Sequence, residues 1–197
     1  MEGLLSFLLL GLLGANSLAL LLSREWRWTL AALGVQYLLA FFLVSATWPL
    51  ELAAVKLVAG WIATAILGLT LLNLPEFPGE SETRFPRSPV FFILVTGVVV
   101  VMVVGAAPEL VVWSRQFNIN QAWGGLFLIG IGVMLAGLGN SVVRNILGLL
   151  TLLAGFEIIY AGVETSILVA GLLAILNLGV ALIGSYLMQS STPEPRR

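Results

Sequence analysis

The sequence predicts an all-α integral membrane protein of about seven transmembrane helices, and three observations carry the prediction. Of the 197 residues, 59% are hydrophobic and only 10% charged, against roughly 45–50% and about 25% in soluble domains. Seven apolar runs approach the roughly 20 residues a helix needs to cross the hydrocarbon core. Each is too long and too evenly apolar for the alternating strands of a membrane barrel.

The first run, 3–22, lacks the basic flank and small-residue cleavage site of a secretory signal, so it is expected to stay as a span. A tight turn, "SREWRW", leads into the second, 28–48, and the third follows at 51–73. The segment "LPEFPGESETRFPRSP" then brings four prolines together with Glu76, Glu80, Glu82, Arg84 and Arg87, which reads as a solvated connection. The remaining runs lie at 89–107, 121–139, 142–163 and 165–187.

Orientation follows from the short connections. With seven spans, Arg24, Arg27, Arg84, Arg87, Arg144, Arg196 and Arg197 fall on one side and Arg115 on the other. The positive-inside tendency then puts the N-terminus outside and the C-terminus in the cytoplasm. Trp26 and Trp28 flank the first cytoplasmic turn, and Trp48, Trp113 and Trp123 are expected as interfacial anchors at the opposite face.

The layout suggests two parallel three-helix units joined by one helix. Each unit has an apolar span, an Arg-containing turn ("SREWRW" or "NSVVRN"), a span holding Gly34 or Gly148, an outer-edge Glu51 or Glu164, and a third span. The expected divisions are a first unit at 1–73, a linker at 74–88, a linking helix and outer loop at 89–120, a second unit at 121–187 and a tail at 188–197. The single span between the units restores their direction, so the repeat is parallel, unlike the inverted repeats of many transporters.

Cys and His are both absent, which removes the usual ligands of haem, iron–sulfur and zinc sites, so neither a cofactor nor a metal site is expected. The net charge of -1 argues against a nucleic-acid partner. Gly124, Gly125, Gly130, Gly132, Gly137 and Gly139 lie in a span rather than after a strand. They point to close helix packing, not to a phosphate loop.

Glu157 is the residue that most demands an explanation. A charge at a helix centre costs roughly 2.5–3.5 kcal/mol on insertion scales, so it faces a protein interior, a partner or water. It is either a structural carboxyl bonded to a neighbouring helix or a proton-relay group. Glu164, seven residues on, shares its helical face and is either a route to the outer surface or a solvated cap. Lys56 sits about two turns inside its span, at the depth of Glu157, and is either a snorkelling amine or the relay partner of that carboxylate. Asn177, near the middle of the last span, reads as interhelical glue or as proton wiring, and Gln36 and Thr64 as glue. Arg144 anchors the turn into the Glu157 span or contacts a partner.

The stretch with "RNILG" and then "AGFE", followed by a further span, resembles the small K-type subunit of complex I and the C-type subunit of multisubunit cation/proton antiporters, over roughly residues 121 to 187. The whole layout, with "AAVKLVAGWI" as a lysine element in the third span, resembles component E of hydrogenase-4 and formate hydrogenlyase membrane arms. The resemblance implies a cofactor-free, proton-translocating membrane-arm subunit in a prokaryotic cytoplasmic membrane, with antiporter-like neighbours in the same complex and Glu157 at the first family glutamate. Asn177 stands where the K-type pattern has a second glutamate, and the distance from Arg144 to Glu157 is about one turn longer. Aligned to component E alone, Leu153 takes the acidic position. The rival expectations are a stand-alone small-solute transporter and a passive packing subunit of the same complex.

Overall fold

The computed structural model describes residues 2–23, 25–74, 88–113, 118–138 and 141–190. They form α1 (Glu2–Leu22), α2 (Trp26–Val44), α3 (Leu50–Asn73), α4 (Pro89–Trp113), α5 (Ile119–Leu138), α6 (Val142–Ala161) and α7 (Ile167–Ser190), with no strand among them. Six of these helices are long and apolar enough to cross a membrane over their described residues, and α1 is apolar along Ser6–Leu22. The chain is an all-α integral membrane protein.

Several boundaries move from their expected places for local reasons. α2 ends at Val44, not 48: Ser45 N–H bonds the Phe41 carbonyl at 2.8 Å and Trp48 N–H the Val44 carbonyl at 2.9 Å, closing a turn. Pro49 then disfavours helix at the residue before it. α4 runs through Pro108 to Trp113 instead of ending at 107. A proline forfeits one backbone bond, which a membrane helix tolerates. α6 ends at Ala161, with Gly162 as its C-cap, and α7 starts at Ile167. Residues 75–87 of the charged connection, residues 191–197 of the tail, Arg24, Arg84, Arg87, Arg115, Arg196, Arg197 and Gly139 lie outside the described residues, as does the Trp113 side chain.

The tightest pairing is α5 with α6, and glycine makes it possible. A Cβ on Gly155 would lie 2.6 Å from the Gly125 carbonyl oxygen, and one on Gly148 would lie 2.8 Å from that of Gly132. The two backbones therefore touch, in the small-residue manner of membrane bundles. Gly124 and Gly130 likewise accept Leu43 and Val99, whereas Gly137 faces open space.

The two expected three-helix units interlock. α3 packs along α7, and α2 against α6. α2 and α6 are each more than half buried in their apolar windows, while α4 and α7 expose most of theirs. The core runs along the shared seam through Leu33, Leu128, Leu150 and Ile158.

Candidate functional site

Four helices carry stripes of buried residues three or four apart, the spacing that keeps side chains on one helical face. On α3 the stripe is Ala53, Lys56, Ala59 and Gly60, Ala63 and Leu67. On α7 it is Ala170, Leu173, Asn177, Ala181, Gly184 and Met188. On α2 it includes Leu33, Tyr37, Ala40 and Val44. On α6, Glu157 follows Gly155 by two residues, about 200° around the helix. With Gly155 held against α5, the carboxylate turns toward α3 and α7.

There the stripes meet. Lys56 Nζ forms a salt bridge and hydrogen bond with Glu157 Oε2. Asn177 Nδ2 donates to Glu157 Oε1, and also to the Leu173 carbonyl at 3.3 Å. Tyr37 Oη donates to Asn177 Oδ1 at 2.9 Å. The Lys56 ammonium lies 6.0 Å from the centre of the Tyr37 ring. The ring is seated on Gly60, where any Cβ would overlap it.

Tyr37 is 0% exposed, Asn177 1%, Glu157 4% and Lys56 6%. That burial rules out a snorkelling lysine. Two unpaired charges so deep would be prohibitive, but each is here the other's partner and both carboxylate oxygens are bonded. A cavity of about 10 Å³ lies beside the pair, walled by Trp48, Lys56, Glu157, Ala170, Leu173, Ala174 and Asn177.

The other expected residues stand apart. Glu164 lies beyond the end of α6 and is exposed. Its carboxylate accepts from the backbone N–H groups of Thr165 and Ser166 at 3.1 Å each, capping the entry to α7. No bond joins it to Glu157, because the helix that would have aligned them stops at Ala161. Arg144 sits in the first turn of α6, its N–H bonded to Ser141 Oγ at 3.3 Å and its guanidinium 6.0 Å from the centre of the Phe92 ring of α4.

Two expected pieces of glue are not glue. Thr64 bonds the Gly60 carbonyl of its own helix at 2.8 Å. The Gln36 amide is fully buried with no hydrogen-bond partner at either end. Trp48 is no surface anchor: it is 5% exposed, and its indole N–H donates to the Glu164 carbonyl at 2.9 Å.

Tyr37 went unread in the sequence. Its signal was available, since a tyrosine at mid-span must find a partner for its hydroxyl. A second polar knot, also unread, closes the Glu164 end: Gln121 Nε2 donates to the Leu43 carbonyl at 2.9 Å and to Thr47 Oγ1 at 2.8 Å. Toward the Arg144 end, Thr70 and Ser185 share a hydrogen bond across the α3–α7 seam.

Fold and site together define a multi-pass helical membrane protein whose α3 and α6 are joined by a buried ion pair. No protein-family model, curated protein or solved structure matches the chain.

Proposed function

We propose that the chain is a membrane-arm subunit of a complex I-like or hydrogenase-4-like respiratory assembly, contributing to proton or cation translocation through Lys56, Glu157, Asn177 and Tyr37. In this reading it lies in a prokaryotic cytoplasmic membrane with its N-terminus outside, beside antiporter-like subunits, and leaves redox chemistry to its partners. The observation that carries the reading is the Lys56–Glu157 pair, buried between α3, α6 and α7 with both carboxylate oxygens engaged.

The pair can exist in two forms that differ by one transferred proton. As ammonium and carboxylate it is a salt bridge; with the proton moved from Nζ to Oε2 it is a neutral amine and acid. Asn177 suits both, since its amide N–H can donate to a carboxylate or to the carbonyl oxygen of the acid. A proton entering from one end neutralises Glu157 and frees Lys56, which releases a proton toward the other end. Return of the Glu157 proton to Lys56 restores the pair, with one proton taken up and one released. Separating the charges in a low-dielectric seam costs several kcal/mol, so the cycle needs work delivered by neighbouring subunits.

Packing is the second reading, because the same bonds tie α2, α3, α6 and α7 together. A stand-alone solute transporter finds no substrate site at the pair, where the cavity is roughly 10 Å³; the larger cavities, of about 430 and 350 Å³, have almost wholly apolar walls away from it. Mild-detergent purification of the tagged chain from its native membranes tests the assembly. Co-purification of large antiporter-like subunits is expected; recovery of the chain alone, or robust solute uptake by the pure protein, would overturn the proposal.

A further inference from the structure

We infer that the cavity beside the ion pair is a binding site for one water molecule and that Trp48 is the gate closing it toward the Glu164 end. The inference deepens the proton-transfer reading and rests on it for its purpose, but it is argued from the cavity itself.

A volume of about 10 Å³ is close to one water-sized sphere, the least that can hold a water, which also needs two to four polar partners. The walls provide them. A lysine ammonium has three N–H donors and a carboxylate about four lone-pair positions, whereas Lys56 commits one donor to Glu157 and the carboxylate accepts from Lys56 and Asn177. Asn177 adds its amide on the same wall. Ala170, Leu173 and Ala174 complete the lining with apolar surface. A water seated there touches the group that gives up the proton and the group that takes it.

Trp48 forms the wall toward the α6–α7 turn. Its ring is held by the indole N–H bond to the Glu164 carbonyl at 2.9 Å. The preceding Thr47 is bound by Gln121 at 2.8 Å and donates to the Ala161 carbonyl at 3.3 Å. The segment that carries the ring is therefore tied to α5, α6 and the turn. Beyond the ring lie Glu164 and Thr165, both exposed. The indole thus stands between the cavity and that exposed turn.

The composition provides a clean probe, because Lys56 is the sole lysine in the sequence. Supplying ¹⁵N-lysine to the full chain in lipid bilayers gives a single side-chain Nζ signal. Water-edited solid-state NMR then reads how fast water magnetisation reaches it. Wild type is expected to show transfer slower than that to an exposed amine but clearly present. Trp48→Ala should speed it several-fold, and Ala174→Val, which fills the cavity, should slow it several-fold. Trp61→Ala, which removes an exposed tryptophan elsewhere on α3, should leave it unchanged. Trp48→Leu replaces Trp48→Ala, with the same expectation, if the alanine variant does not fold. No transfer in wild type, no response to Ala174→Val, or no response to opening at Trp48 would each overturn the inference. Because water contact rather than transport is read, such a failure leaves the proton-transfer reading to be judged by pumping.

Discussion

Removing one partner of the ion pair should cost far more than removing both. Lys56→Met leaves the Glu157 carboxylate buried beside Asn177 with no counter-charge, and Glu157→Leu does the same to the Lys56 ammonium. Breaking a buried pair in this way costs about 3–5 kcal/mol. The lower end fits a membrane, where a charge at a helix centre costs roughly 2.5–3.5 kcal/mol. Glu157→Leu also removes one acceptor of the Asn177 amide, which keeps its bonds to Tyr37 and the Leu173 carbonyl; the double variant shares that loss, so it cancels in the coupling energy. In Lys56→Met/Glu157→Leu no charge remains, and apolar side chains refill the space, a replacement that is often neutral or stabilising. The expected coupling energy is therefore about 3 kcal/mol or more, with the double variant more stable than Glu157→Leu alone. Thermal or steric-trap unfolding of the four proteins in native-lipid nanodiscs measures it. A coupling below about 1 kcal/mol, the scale of an exposed pair, would refute the reasoning.

Gly60→Ala should displace the Tyr37 ring and break its bond to Asn177, costing about 1–3 kcal/mol, while Tyr37→Phe, which loses only the hydroxyl, should cost about 0.5–1.5 kcal/mol; denaturation midpoints separate the two. Gly155→Ala should force α5 and α6 apart and lower stability by about 1–3 kcal/mol, whereas Gly179→Ala, at a position with nothing within 4 Å, should be silent in the same unfolding assay. Gln36→Leu should be neutral or stabilising by up to about 1–3 kcal/mol, because it removes a buried amide that has no hydrogen-bond partner; a clear loss of stability would show that the amide is satisfied.

The helices were legible because a spanning segment announces itself by length and apolarity, a signal that needs no tertiary information. What decided their ends was local and finer: a closing turn and Pro49 after α2, tolerance of Pro108 within α4, and Gly162 at the close of α6. The site was legible in its ionisable members, since a lysine and a glutamate at similar depth in apolar runs each demand a partner. Their contact was not legible. It depends on the facing of four helices, of which that of α6 follows from the backbone approach of Gly155 and Gly148 to Gly125 and Gly132 of α5. Of the two readings of Glu164, the solvated cap is the one seen, because α6 stops at Ala161 before helical periodicity can align it with Glu157. Trp48 misled because a tryptophan at a span end usually anchors at the interface, and only the folded turn shows its ring facing inward. Tyr37 was hidden among apolar neighbours, its role depending on a glycine 23 positions along the chain.

The most direct test of the Lys56–Glu157 pair as a proton-transfer element uses Lys56→Met/Glu157→Leu in the intact assembly. Affinity-purified complexes, wild type and double variant, are sealed into liposomes, and protons translocated per electron are measured during turnover of the redox partner. Retained assembly and electron transfer with a clear loss of protons per electron is the expected result. Wild-type stoichiometry from the double variant would reduce the four-residue cluster to packing and contradict the proposed role.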